Sequence, residues 1–185
     1  MSKKVRLGMG RIPDLPDQRD IRYSAVYRAP KKLPATVDLR EFCSSVENQG
    51  RLGSCTANAL AGALEFLEKK DGKTVSDLSR LFIYYNERLL EHSIDADSGA
   101  SLRDGIRTLN HAGVWLETKW PYVVSEFRKK PTKTYYNEAK KHKIKSYQRL
   151  ETIDEMKGCL ADGYPFVFGF RIYESFMTDK VKKDK

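Results

Sequence analysis

The chain has 185 residues, 40% of them hydrophobic and 11% aromatic, and a net charge of +9. This composition suits one good core, or two small lobes sharing one, and excludes a disordered chain. No apolar run approaches the roughly 18 residues of a membrane span, and the charged start MSKKVR leads into no apolar signal stretch, so the expected location is cytoplasmic with no membrane partner.

The three cysteines, Cys43, Cys55 and Cys159, are odd in number, widely spaced and without a C-x-x-C or H-x-x-x-H companion. That pattern argues against a disulfide framework and against structural zinc, and no metal ligands are assigned. The excess charge lies in the first six residues, in Arg128 to Arg149 and in Lys180 to Lys185. Solvated surface accounts for it. Phe127, Tyr135, Tyr136 and Tyr147 accompany the central basic stretch but form no recognisable nucleic-acid signature, so a nucleic-acid partner is not favoured.

In chain order, residues 1 to 36 are rich in Pro, Arg and Asp, with Pro13, Pro16, Pro30 and Pro34 breaking any helix. They read as an extended lead-in strapped across the body. Thr36 to Leu39 alternates as a short strand would. Cys43 follows in a turn and reads as a packed small residue. A first helix begins at Ser54 or Cys55, with Ala57, Leu60, Ala61, Leu64 and Leu67 on one stripe, and ends at Lys69-Lys70-Asp71-Gly72. A second is expected from about Ser76 to Leu90. Residues 92 to 99 are a loop by composition. Ser101-x-x-Asp104 opens a third helix that Gly113 stops, and Trp120-Pro121-Tyr122 reads as a packed turn. Beyond it, Lys143 to Leu150 reads as a strand. Thr152-x-x-Glu155 caps a short helix with Ile153, Met156 and Leu160 inward. Tyr164 to Ile172 is the best strand in the chain by composition. Helices followed by strands predict an α+β protein: a lead-in over 1–36, a helical lobe over 37–122, and a β lobe with a basic tail over 123–185.

The stretch VENQGRLGSCTANALAGAL, Val46 to Leu64, carries the chemistry. A cysteine attacks as its thiolate. A helix N-terminus favours the anion, and its unpaired N–H groups can hold a developing oxyanion. Cys55 sits where the turn becomes helix, Gly53 just upstream permits close approach of backbone or substrate, and Gln49 offers a neutral side-chain N–H six residues ahead.

Val46-x-Asn48-Gln49-Gly50-x-x-Gly53-Ser54-Cys55, with Val37-Asp38-Leu39-Arg40 before it, resembles the nucleophile segment of the papain-like cysteine peptidases. Leu78-Ser79, the Gly99 loop, Trp120-Pro121-Tyr122, Gly163-Tyr164-Pro165 and Tyr173-Glu174-Ser175-Phe176 follow in that family's order, so the likeness covers roughly residues 37 to 178. It implies a two-lobe fold with a helical lobe and a β-barrel lobe, incomplete here. It implies Cys55 as nucleophile, Gln49 as oxyanion-hole donor, and Ser98, Gly99, Ala100, Gly53 and Ser54 along the substrate. The implied activity is proteolysis of a peptide or protein substrate through a thioester acyl-enzyme, with no metal or organic cofactor.

Three departures stand out. Leu52 occupies the family's usual Cys position, so its common disulfide is absent. Thr56 replaces the usual aromatic after the nucleophile. The family's His and Asn follow the Cys by about 130–150 residues, a window that opens where this sequence stops, and none of His92, His111 or His142 lies in a Gly-rich strand context. The expectation is therefore a truncated or N-terminal portion of such an enzyme, with an exposed β edge open to a partner strand. The alternative is an inactive member that binds peptides or proteins.

Overall fold

Three mutually packed helices carry the core: α2 (Cys55–Lys70), α3 (Arg80–Leu90) and α4 (Leu102–His111). The structure, a computed structural model, describes residues 10–27, 32–74, 77–173, 176 and 178. The basic stretches 1–6 and 180–185, the expected helix start at Ser76, and Glu174-Ser175 lie outside them.

α2 begins at Cys55, as the turn running into an apolar stripe predicts, and ends at the Lys69-Lys70-Asp71-Gly72 stop. Its stripe Ala57, Leu60, Ala61 and Leu64 is buried against Leu81, Phe82, Ile83 and Tyr84 of α3 and Leu109 of α4. Each fully buried Leu, Ile or Phe contributes about 1.5–3 kcal/mol. α3 is the central element, buried along nine of its eleven residues. It starts at Arg80 because the Ser79 hydroxyl caps it, accepting from the Phe82 N–H at 3.1 Å while donating to the Trp120 carbonyl at 2.7 Å. α4 is capped by Ser101, whose hydroxyl accepts from the Asp104 N–H at 3.2 Å.

The lead-in contributes β1 (Arg11–Ile12), which pairs in parallel with β2 (Ala100–Ser101), and a single turn, α1 (Tyr23–Val26). α5 (Lys133–Ala139) lies within the basic stretch that reads from sequence as solvated surface with no element assigned. Its Tyr136 ring meets Phe82 at 5.3 Å, and Tyr135 meets Trp115 and Trp120 at 4.0 and 5.1 Å. Tyr135, Tyr136 and Phe127, which accompany that stretch, therefore pack against the core. α6 (Ile153–Ala161) has the complete Thr152/Glu155 capping box, but it turns Gly158 and Cys159 inward and leaves Ile153 67% exposed. The expected inward stripe is wrong by a fraction of a turn.

The three strand expectations are not met. Among the described residues the one ladder is β1–β2. Residues 36–39 lead into a 3-10 turn at Arg40–Phe42. Lys143 to Leu150 yields a lone bridge, Arg149 to Arg22, closed by Tyr23 N–H to Arg149 O at 2.9 Å and Arg149 N–H to Ile21 O at 2.8 Å. Tyr164 to Ile172 has strand composition but no ladder partner among the described residues; Val167 packs on the core while Phe168 and Phe170 are 60% and 59% exposed. A strand exists only as part of a ladder, and composition supplies one side of it. Cys43 is exposed, not packed.

Glu87, fully enclosed on α3, receives the Thr56 hydroxyl on Oε2 at 2.9 Å, while its Oε1 has no partner. Burial pushes its carboxyl up to about 8 from an ordinary 4.5. The folded chain thus keeps the proton that the unfolded chain releases between those values. Stability is expected to fall as pH rises from about 4.5 to about 8 and to level off above, as far as this group decides it. In urea unfolding at a series of pH values, Glu87→Gln should flatten that fall; an unchanged slope refutes the assignment.

Candidate active site

The first turn of a helix leaves its N–H groups without intrahelical partners. In α2 those groups belong to Cys55 and the residues after it. Cys55 is a free thiol, partly exposed at the helix start. The loop that delivers it is buried at Leu52, Gly53 and Ser54. Ser54, although at the N-cap position, does not cap α2 with its side chain. Its hydroxyl lies 2.5 Å from the Tyr122 hydroxyl and accepts from Asn58 Nδ2 at 3.1 Å; Asn58 Nδ2 also bonds the Ser54 carbonyl at 2.8 Å. The Tyr122 hydroxyl reaches the Gln49 carbonyl at 3.0 Å, so one phenol ties both ends of the turn before Cys55. Burial raises the Tyr122 phenol above its ordinary range, keeping it neutral. The Gln49 side chain donates from Nε2 to the Leu52 carbonyl at 3.0 Å, inside the same turn.

Arg80 anchors this turn from behind. Its guanidinium is paired with Glu47 at 3.0 Å and Glu117 at 3.3 Å and lies over the Tyr122 ring at 4.4 Å. Such stacking suits the planar guanidinium.

The loop before β2 forms the facing wall. Gly99 has φ +75°, a conformation that favours glycine, and a Cβ there would stand 1.8 Å from the Gly10 carbonyl oxygen. A Cβ on Gly10 would in turn stand 1.7 Å from the Gly53 carbonyl oxygen. Ala100 N–H donates to the Gly10 carbonyl at 2.7 Å. The lead-in backbone therefore passes between Gly53 and Gly99, along Ala100. Ser98 stays exposed, its hydroxyl 2.8 Å from that of Ser93. The expected site residues thus gather on two facing loops, with the lead-in between them.

The histidines lie elsewhere. His92 and His111 are exposed, and His142 Nδ1 lies 2.8 Å from Glu68 Oε1, which is 13 residues and about 20 Å along α2 from Cys55. Among the described residues none is hydrogen-bonded to Cys55, and no group of three or more His, Cys, Asp and Glu could hold a metal ion. No helix there is long and apolar enough to cross a membrane. Sequence reading missed Tyr84 and Asp97 as parts of this region. Asp97 sat in a stretch legible only as loop; its partner Gly53 is 44 residues away.

Residues 33–181 match the family profile described as papain family cysteine protease. An uncharacterized peptidase C1-like protein of Acanthamoeba polyphaga mimivirus is 42% identical over 205 residues, an alignment spanning 97% of this chain and 66% of that protein. Xylellain, a cysteine protease from Xylella fastidiosa, superposes with a TM-score of 0.77 at 39% identity, over 88% of this chain and 66% of its own. A digestive procathepsin L 3 from the larval midgut of Tenebrio molitor superposes at 0.62 with 19% identity, over 83% and 47%, which speaks for the fold alone. The chain thus spans 66% of the length of the first two relatives, and its helical lobe with little strand is a papain-like fold.

Two outcomes follow from the site. Iodoacetamide should label Cys43 and Cys55 in the folded chain and Cys159 only after unfolding, because Cys159 is buried and burial pushes its thiol up; peptide mass mapping reads this directly. Tyr122→Phe should cost about 1–2 kcal/mol for the lost bridge, seen as a drop of a few degrees in the thermal midpoint. An unchanged midpoint would show the bridge to be idle.

Proposed function

The chain belongs to the papain family of cysteine proteases, and we propose that it is a cysteine-type peptidase that forms a thioester acyl-enzyme on Cys55 while its own lead-in lies along the substrate path. In this reading the Cys55 thiolate attacks a peptide carbonyl carbon. The resulting oxyanion is held by the Cys55 N–H at the start of α2 and by the Gln49 side-chain amide, which leaves Leu52 O to reach it. Collapse expels the amine and leaves the acyl group on sulfur; water then releases it. Gly53, Ser54 and Ser98 to Ala100 line the extended substrate. The observation that carries the reading is the placement of Cys55 at the first turn of α2, opposite a Gly99–Ala100 edge that already accepts an extended backbone, that of Gly10 to Ile12. An edge that binds one extended segment can bind another.

Expelling an amine requires a proton donor, and no histidine among the described residues is bonded to Cys55. We infer that the chain by itself acylates readily from an activated ester, whose leaving group needs no proton, and turns over peptide amides orders of magnitude more slowly than a family member with a paired His.

A p-nitrophenyl ester of a blocked dipeptide tests this. The expected result is a burst approaching one nitrophenolate per chain, absent in Cys55→Ala. Gly10→Val, whose side chain has no room beside Gly53, should speed the burst about tenfold, as 1.4 kcal/mol of lost strap binding would. A burst that survives Cys55→Ala overturns the nucleophile, and a rate unmoved by Gly10→Val overturns the strap. No burst in any variant would favour a member that grips peptides without chemistry.

A further inference from the structure

The two loops that face each other across Cys55 are joined by a polar link. The Asp97 carboxylate accepts from the Gly53 N–H with Oδ1 at 2.9 Å and Oδ2 at 3.1 Å. The same Oδ1 accepts from the Tyr84 hydroxyl. That hydroxyl in turn accepts from the Gly99 N–H at 3.1 Å. One carboxylate and one buried phenol therefore connect the residue two before Cys55 to the residue at the turn of the opposite wall. Tyr84 is wholly enclosed on α3, so its hydroxyl cannot swing to another partner. Its ring carries the Arg88 guanidinium at 4.2 Å. Arg88, also wholly enclosed, donates to the Ile94 carbonyl at 2.7 Å and the Ala96 carbonyl at 3.1 Å, fixing the loop that presents Asp97. Leu52, where the family resemblance expects a cysteine, is buried at 3% exposure and has no covalent partner across the gap.

We propose that Asp97 is a positioning residue that sets the spacing between the Gly53 and Gly99 walls, holding by hydrogen bonds a distance that a cross-link would otherwise hold. It rests on the peptidase reading only in what that spacing is for: an extended substrate backbone must meet the Gly99 edge while its carbonyl reaches Cys55, and small displacements there cost large factors in rate. Because Oδ1 receives both the Gly53 N–H and the Tyr84 hydroxyl, a neutral amide oxygen suffices. Asp97→Asn should therefore retain the link, and Asp97→Ala should lose it.

Amide hydrogen exchange and Cys55 alkylation test this, each in a Gly10→Val background so that the strap does not compete. In Asp97→Ala, exchange at the Gly53 and Gly99 amides should quicken at least tenfold. The ratio of Cys55 alkylation by a peptidyl chloromethyl ketone to that by iodoacetamide should fall at least tenfold, with the iodoacetamide rate itself within about twofold of the parent. Asp97→Asn should restore both readouts. Tyr84→Phe should quicken Gly99 alone, since Gly53 keeps its carboxylate, and this variant serves if Asp97→Ala does not fold. Unchanged exchange at both amides overturns the link. Quickened exchange with an unchanged alkylation ratio overturns the positioning role, as does an Asp97→Asn that behaves like Asp97→Ala. A parent that shows no preference for the peptidyl reagent counts against the peptidase reading, while the exchange measurements still decide the link.

Discussion

Burying the start of a helix obliges every polar group there to find a partner other than the helical backbone ladder, and this constraint organises the structure around α2. Gly53 and Ser54 are buried just before it, and Thr56 just inside it. The Gly53 N–H goes to Asp97, the Ser54 hydroxyl to Tyr122 and Asn58, and the Thr56 hydroxyl to Glu87. The partners come from the loop before β2, from the turn after α4, from α2 itself and from α3. Cys55 is the partly exposed residue in the middle of this set, so its backbone is fixed from several sides while its side chain keeps access to solvent. The cost is visible in Glu87, which keeps its link to Thr56 in an enclosure that disfavours its charge.

The same constraint explains why glycine stands at three facing positions. The backbone of Gly10 passes so close to Gly53 and Gly99 that a side chain on Gly10 or Gly99 would overlap main-chain atoms. The lead-in then continues across the molecule. Asp14 accepts from the Arg103 N–H at 2.8 Å, and Asp20 takes the Arg103 guanidinium at 2.6 Å and that of Arg149 at 2.8 Å. Charge pairs of this sort contribute modestly each, but they fix where the segment runs. It runs over the wall that the proposed function gives to substrate.

Legibility from sequence followed the range of the interactions involved. The helix start at Leu102 and the capping box at Thr152 and Glu155 depend on neighbours three residues away, and the start at Cys55 on the contiguous turn before it, and all were readable. The family likeness was readable because the Gln49-to-Cys55 run is contiguous. Tyr164 to Ile172 had strand composition but no ladder partner among the described residues, Ile153 sat at a plausible helical position yet faces solvent, and α5 was hidden because its inward tyrosines are outnumbered by polar residues. In each of these the deciding neighbour is remote in sequence.

The amino-acid sequence by itself determined α2, α3, α4 and α6, the caps at Ser101 and Thr152, the turn that presents Cys55 and the family to which the chain belongs, because local backbone chemistry and a contiguous motif carry all four. Tertiary structure alone decided that Asp97 and Tyr84 join the two walls, that Tyr122 closes the turn, that Glu87 is held neutral, that His142 serves Glu68 and not Cys55, and that Gly10 lies between Gly53 and Gly99. Each of these is a contact between residues tens of positions apart, and burial and distance exist only once the helices have packed.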